Sequence, residues 1–372
     1  MKKCFTPLAA VAALILLIPS QGCKKCAEKE PEVKNLILMI GDGMGVGHVT
    51  ALMVDNGYEP VNMERAASTG LVKTYSYNNR VTDSGASGTA YATGQKTYNS
   101  RLSVDTLGNP LKTILEKAEE RGMSTGLVVS ISLQHATSAV FYAHDKSRSD
   151  YEDVAKQLAE SGIDVAIGGG RKYMERRRDS VDLISELESL GYLVTENLEG
   201  LDGVTEGNVM AIYPGGTYGL PYIVEGRDPE YLPKATAKAL EILTANNAGR
   251  GFFIMVEGSQ IDGASHDNDG RSVLAEVREF DDAVGVAFDY ADTHPGTLVV
   301  VLADHETGGL AIVPGDVDFL KAESGVSFGF ATTGHSGGMV PLFAYGTGAE
   351  KFTGVFDNDE VGRLMQEALG LQ

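Results

Sequence analysis

The residues with the clearest chemistry sit at the ends of apolar runs. GFFIMVE (251–257) leads through Glu257-Gly258-Ser259-Gln260-Ile261 to Asp262, with His266 four residues further on. TLVVVLA (297–303) leads into Asp304-His305-Glu306, and His335 lies in Thr333-Gly334-His335-Ser336-Gly337-Gly338. The chain has 7 histidines, so three of them beside carboxylates or glycine-rich bends is a concentration with chemical meaning. Mixed aspartate and histidine sets are zinc donors, whereas carboxylate, threonine and water suit magnesium. Two further clusters lie upstream. NLILMI (35–40) runs into Gly41-Asp42-Gly43-Met44-Gly45, where glycines let backbone close around whatever the Asp42 carboxylate holds. This is not the dinucleotide fingerprint, because its third glycine would fall on Val46 or His48. In Thr82–Ala90 (TDSGASGTA) small residues follow Ser84 as if it opened a tightly packed helix. Backbone N–H groups there can hold an anion, and a serine there can be a nucleophile. Taken alone, Asp42 reads as a strand-end turn and Ser84 as a helix cap. The four clusters together point to one site.

Short apolar runs alternating with helical patterns must position these residues. Strands are predicted at Asn35–Ile40, Thr125–Ile131, Ile163–Ile167, Gly251–Val256, Thr297–Leu302 and Val340–Tyr345. Helices are predicted at Leu111–Arg121, ending at Gly122, and at Asp150–Glu160, Lys234–Asn246 and Ser272–Ala291. Such alternation argues for an α/β fold, a mostly parallel sheet covered on both faces. In these folds ligands bind beyond the carboxyl ends of the strands. Residues 171–232 carry a basic patch, Arg176–Arg178, and Gly-, Pro- and Tyr-rich stretches of weak periodicity, and read as a peripheral insertion outside the core layers.

Composition narrows the function. Hydrophobic residues make up 43% of the 372 and charged residues 22%, as in globular domains. Asp and Glu number 51 against 31 Lys and Arg, a net charge of −20 that disfavours nucleic-acid binding and repels anions. Lys2 and Lys3 precede an apolar run from Leu8 to Ile18, too short to span a bilayer and suited to a signal peptide. Gly22-Cys23 resembles a lipoprotein-processing site, ordinary cleavage nearby being the alternative. The expected organisation is a signal peptide at 1–22, a tether at 23–32 and a catalytic domain at 33–372. The protein is then exported, periplasmic or anchored by lipid at Cys23. The cysteines are Cys4, Cys23 and Cys26, which excludes a disulfide within the folded domain and a cysteine nucleophile there.

The motifs IGDGMG, VTDSGASGTA, LQHATSA followed by Arg148, VEGSQIDGASH, ADHETGG and TGHSGG resemble those of the alkaline phosphatases, in order from residue 35 to about 345. The resemblance implies a three-layer α/β/α sandwich that hydrolyses phosphate monoesters to alcohol and inorganic phosphate. It makes Ser84 the nucleophile that becomes phosphoseryl, and Arg148 the clamp on two phosphate oxygens. One Zn2+ would be held by Asp262, His266 and His335. The other would be held by Asp42, Asp304 and His305, with Ser84 as a movable ligand. Mg2+ would take Asp42, Thr137 and Glu257. Charge supports the scheme: Asp42, Glu257, Asp262 and Asp304 against Arg148 leave the empty site at −3, and three divalent cations bring it to +3.

Two positions depart from the best-known bacterial members. His135 stands where they have an aspartate near the magnesium, as a possible second-shell residue, and Gly263 stands where they have a phosphate-binding lysine. Only thirty residues separate His305 from His335, where the family often inserts a crown that builds its dimer, so a homodimer is left open. The alternatives are a phosphodiesterase of the same superfamily and a surface lipoprotein that binds phosphate or metal without turnover. A sulfatase lacks support, since its nucleophile motif is missing. Of the other histidines, His144 reads as structural, His294 as solvated and His48 as helix surface, a place near the site six residues after Asp42 being the alternative.

Overall fold

The computed structural model describes residue 1 and residues 32–315 and 326–372. Residues 2–22 of the signal peptide, Cys23 and all but the last residue of the tether lie outside the described residues. The strands, in chain order, are β1 (Asn35–Gly41), β2 (Ser68–Lys73), β3 (Ser124–Ser132), β4 (Val165–Gly169), β5 (Leu193–Thr195), β6 (Val209–Ile212), β7 (Phe252–Gly258), β8 (Thr297–Leu302), β9 (Glu306–Thr307), β10 (Ala311–Pro314), β11 (Val326–Gly329), β12 (His335–Ser336), β13 (Val340–Gly346) and β14 (Gly354–Asp357). The helices are α1 (Val46–Asp55), α2 (Ser84–Thr93), α3 (Ile114–Glu120), α4 (Ala136–Ala139), α5 (Tyr151–Glu160), α6 (Lys172–Glu175), α7 (Leu183–Ser189), α8 (Tyr231–Asn246), α9 (Gln260–His266), α10 (Gly270–Thr293) and α11 (Asn358–Ala368).

Ten strands form one sheet in the order β14-β2-β13-β8-β1-β7-β3-β4-β6-β5. Within it β13 is antiparallel to both neighbours, and every other pairing is parallel. The apolar runs at 36–40, 252–256 and 298–302 are fully buried in the central strands, as expected of strands covered on both faces. Helices α8 and α10 pack on each other and on β3 and β8, while α2 packs with α3 and α11 in a second layer.

Register explains why the chemistry converges. Ile40 lies opposite both Glu257 of β7 and Leu302 of β8. Because the three strands are parallel, Asp42 and Asp304 emerge from them at the same height, beside Glu257. Helix α2 is buried along its whole length. A Cβ on Gly85 would lie 2.7 Å from the Arg101 carbonyl oxygen, and one on Gly88 2.8 Å from Val140 Cγ2, so the small residues after Ser84 permit close packing.

The reading of residues 171–232 needs correction. The segment is peripheral in holding one edge of the sheet, but it does not lie outside the core layers. It supplies β6, whose four residues are buried beside β4, and the outermost strand β5. These strands are three and four residues long, too short for a periodic signature.

Candidate active site

Asp42 leaves the end of β1 and Asp304 follows β8. Between them Gly43 has φ +72°, and a Cβ there would sit 2.9 Å from Asp262 Oδ1, so the turn requires glycine. The Gly43 N–H donates to Asp304 Oδ1 at 3.1 Å, joining the two strand ends. His305 Nε2 lies 3.2 Å from Asp304 Oδ2, 3.4 Å from Asp42 Oδ1 and 3.2 Å from Ser84 Oγ.

A second group stands alongside. Asp262 and His266 are one turn apart on α9, which puts them on one face, with His266 Nε2 3.2 Å from Asp262 Oδ2. His335 arrives on β12, paired with β9, and its Nε2 is 3.7 Å from Asp262 Oδ1. The outer nitrogens are occupied: His266 Nδ1 is 2.6 Å from the Thr333 carbonyl oxygen and His335 Nδ1 2.9 Å from that of Thr82. Backbone carbonyls of this kind fix the tautomer that presents Nε2 as a ligand.

Ser84 begins α2 and is buried. The residue before it, Asp83, caps the helix by accepting from the Ala86 N–H, and also takes Arg148 Nη1 at 2.9 Å. Arg148 Nη2 is 3.1 Å from His135 Nε2. Thr137 Oγ1 donates to Asp42 Oδ2 at 3.0 Å, and His135 Nδ1 lies 4.0 Å from that same oxygen. His135 therefore stands with Asp42 and Glu257 in a third group of donor atoms.

In all, three sets of donor atoms each lie within 4.8 Å of one another: Asp262, His266 and His335; Asp42, Asp304 and His305; Asp42, His135 and Glu257. Buried acceptors test whether cations fit. Asp42 Oδ1, Asp304 Oδ2 and both Glu257 carboxylate oxygens are buried without a hydrogen-bond partner, a cost of about 1–3 kcal/mol for each such atom, and more when it is charged. Metal ions satisfy such oxygens, so the residues present fit the divalent cations that their types suggest.

Two residues near the site take roles that the sequence does not announce. His48, expected on a helix surface, is buried: its Nδ1 accepts from the Gly45 N–H at 3.1 Å and its Nε2 is 2.9 Å from Ser265 Oγ on α9. Helical spacing gave no sign of this, because α9 is what covers it. Asp83 carries no role in the sequence beyond its motif, although an aspartate directly before a run of small residues is a capping signal. His144 is structural as expected, bridging the Ser103 carbonyl and Glu116.

Electrostatics show how the metal-free site is strained. Burial, with Asp304 and Asp262 nearby, raises the Asp42 carboxyl well above its usual range. Burial pushes Glu257 up to about 8, and burial with the Asp262 charge pushes Asp304 up to about 6. Burial pushes His135 down to about 3, helped by Arg148. The hydrogen bond from His266 and the neighbouring histidines outweigh burial at Asp262 and hold it well below the usual range, while the same bond raises His266 to about 9. Raised carboxyls make the metal-free folded state hold more protons than the unfolded chain up to about pH 8, and His266 acts in the same sense above about pH 6.5. Below about 6.5 the buried neutral histidines oppose this. The metal-free protein should therefore lose thermal stability between pH 6.5 and 8.5, and saturating zinc and magnesium should abolish the loss. Melting curves with and without chelator measure it, and a metal-free protein that gains stability over that interval contradicts the account.

Comparison with known proteins agrees with this geometry. The alkaline phosphatase family profile matches residues 33–324. Alkaline phosphatase 4 of Bacillus subtilis is 31% identical over 455 aligned positions, covering 99% of this chain and 97% of its own. The alkaline phosphatase of the Antarctic bacterium TAB5 superposes with a TM-score of 0.86 at 33% identity, over 92% of this chain and 99% of its own. A variant of that enzyme, with aspartate in place of a histidine, has magnesium bound in its M3 site; it superposes at 0.84 with 32% identity, over 92% and 99% of the two chains. With its sheet, its donor sets and its serine in place, the chain belongs to the alkaline phosphatase family and is a phosphoric monoester hydrolase.

Proposed function

We propose that Ser84 Oγ is the nucleophile of a double displacement that hydrolyses phosphate monoesters through a phosphoseryl intermediate. One observation carries this reading: Ser84 opens a buried helix at the junction of the donor sets, 3.2 Å from His305 and in the same cavity as Arg148. Zinc is assigned to Asp262, His266 and His335, and to Asp42, Asp304 and His305. Magnesium is assigned to Asp42, Thr137 and Glu257, with His135 beside them; the magnesium in the M3 site of the TAB5 variant supports that choice. Cations bound there would offset the charge of a phosphate dianion and lower the pKa of the Ser84 hydroxyl and of water.

The chain's own residues do the rest. Asp83 holds Arg148 by one edge of the guanidinium, which leaves other N–H groups to bind phosphate oxygens. The amino end of α2 adds its partial positive charge. Ser84 Oγ forms a bond to phosphorus as the ester oxygen leaves with its alcohol. Water then cleaves the phosphoseryl ester from the opposite side. Two in-line displacements retain configuration at phosphorus.

Replacing Ser84→Ala is expected to lower kcat for an aryl phosphate about 10³-fold or more while phosphate still binds. Arg148→Ala should lower kcat/KM about 10- to 100-fold, the range of a charged hydrogen bond. Turnover that survives Ser84→Ala would contradict the nucleophile assignment and favour a directly attacking water.

We also infer from Lys2, Lys3, the apolar run Leu8–Ile18 and Gly22-Cys23 that the protein is exported and anchored by lipid at Cys23. Among the described residues no helix is long and apolar enough to cross a membrane. Cys23→Ala should then move the protein from the membrane fraction to the soluble fraction. An unchanged distribution would refute the anchor.

A further inference from the structure

The cavity that holds Ser84 has a volume of about 630 Å³ and extends past the reacting groups to Tyr218, Leu220, Pro221 and Tyr222, in the segment before α8. We propose that this wall is a subsite for the alcohol half of the substrate, selecting monoesters whose alcohol is an aromatic ring without further negative charge, with Tyr222 as the residue that determines the preference. The proposal rests on the reading of Ser84 as nucleophile.

Position comes first. Tyr222 Oη donates to Asp267 Oδ2 at 3.2 Å, and a Cβ on Gly263 would lie 2.7 Å from that same hydroxyl. The Tyr222 side chain thus fills the space above Gly263, along the edge of α9 that adjoins the face carrying Asp262 and His266. Ser84 contacts His305, in the Asp42–Asp304–His305 group, whereas the wall adjoins the Asp262–His266–His335 group. An in-line displacement expels the alcohol away from the nucleophile, and so toward this wall.

The wall is also held in place. Arg227 is buried and donates to the Pro221 carbonyl at 2.8 Å. It pairs with Glu276 and Glu279 of α10, and Glu276 in turn accepts from the Ile223 N–H at 2.9 Å. From the other side, Gln260 Nε2 donates to the Leu220 carbonyl at 2.8 Å. A surface turn tied down by a buried ion triad binds a ligand with little loss of chain entropy.

Chemistry then limits the occupant. The wall offers two tyrosine rings and the apolar surfaces of Leu220 and Pro221, which suit a flat ring. Among the described residues that line the cavity Arg148 is the sole lysine or arginine, and the reaction already uses it. Glu225 and Asp267 also line the cavity, so an alcohol carrying a second anionic group is repelled.

The test compares kcat/KM of the metal-loaded enzyme for 1-naphthyl phosphate and glycerol 2-phosphate. Taking the ratio of the two across variants cancels their intrinsic reactivities. Tyr222→Ala should lower the naphthyl-to-glycerol ratio about 2- to 12-fold, the range of one aromatic contact. Tyr222→Phe should preserve the ratio, because the ring and not the hydroxyl makes the contact. If Tyr222→Ala leaves the ratio unchanged, or lowers both substrates in equal proportion, the subsite is refuted while the reading of Ser84 stands. If the unmodified enzyme turns over neither ester, both fall.

Discussion

Burying Asp42, Glu257 and Asp304 together at the ends of adjacent parallel strands is the constraint on which the rest of the structure depends. Ile40 stands opposite Glu257 and Leu302, so the register of the sheet sets Asp42 and Asp304 at one height, two residues beyond Glu257. Without compensation the arrangement is unfavourable: four of their six oxygens lack hydrogen-bond partners, and burial drives their proton affinities up. On this account divalent cations provide the compensation, and the fold provides a rigid frame that brings the donors together. A parallel sheet buried on both faces can supply such rigidity, because its central strands are fixed by neighbours on each side and by helices above and below.

Around that centre the chain spends its polar groups on orientation. Carbonyls of Thr333 and Thr82 turn His266 and His335 so that Nε2 faces Asp262. Asp83 caps α2 and positions Arg148, so one carboxylate places both the serine and the guanidinium. His48 ties the glycine turn after β1 to α9 through Ser265. Further out, the ion triad of Arg227, Glu276 and Glu279 holds the wall that would meet the alcohol. On the proposed reading, recognition of phosphate and of alcohol would be divided between the sheet ends and an edge segment.

Much of this was legible in the sequence, for physical reasons that can be named. The central strands announce themselves as unbroken apolar runs because both faces are covered, and Asp262 and His266 share a face because they are one helical turn apart. Ser84 is marked by the small residues that let α2 pack closely. What could not be read depends on tertiary packing. Strands β5 and β6 are too short to show a period, so the segment around them looked like an insertion outside the core. The burial of His48 requires α9, more than 200 residues away in the chain. Tyr222 covers Gly263 from a segment held by Arg227, which reaches glutamates on α10, and no local pattern encodes that contact.

The most direct test of the central claim is the release of alcohol from an aryl phosphate at mildly alkaline pH, before and after removal of metal by a chelator, with zinc and magnesium then added back. The account predicts that activity disappears with the chelator and returns only when both ions are restored. Activity indifferent to a chelator that has demonstrably stripped the protein of metal would contradict it.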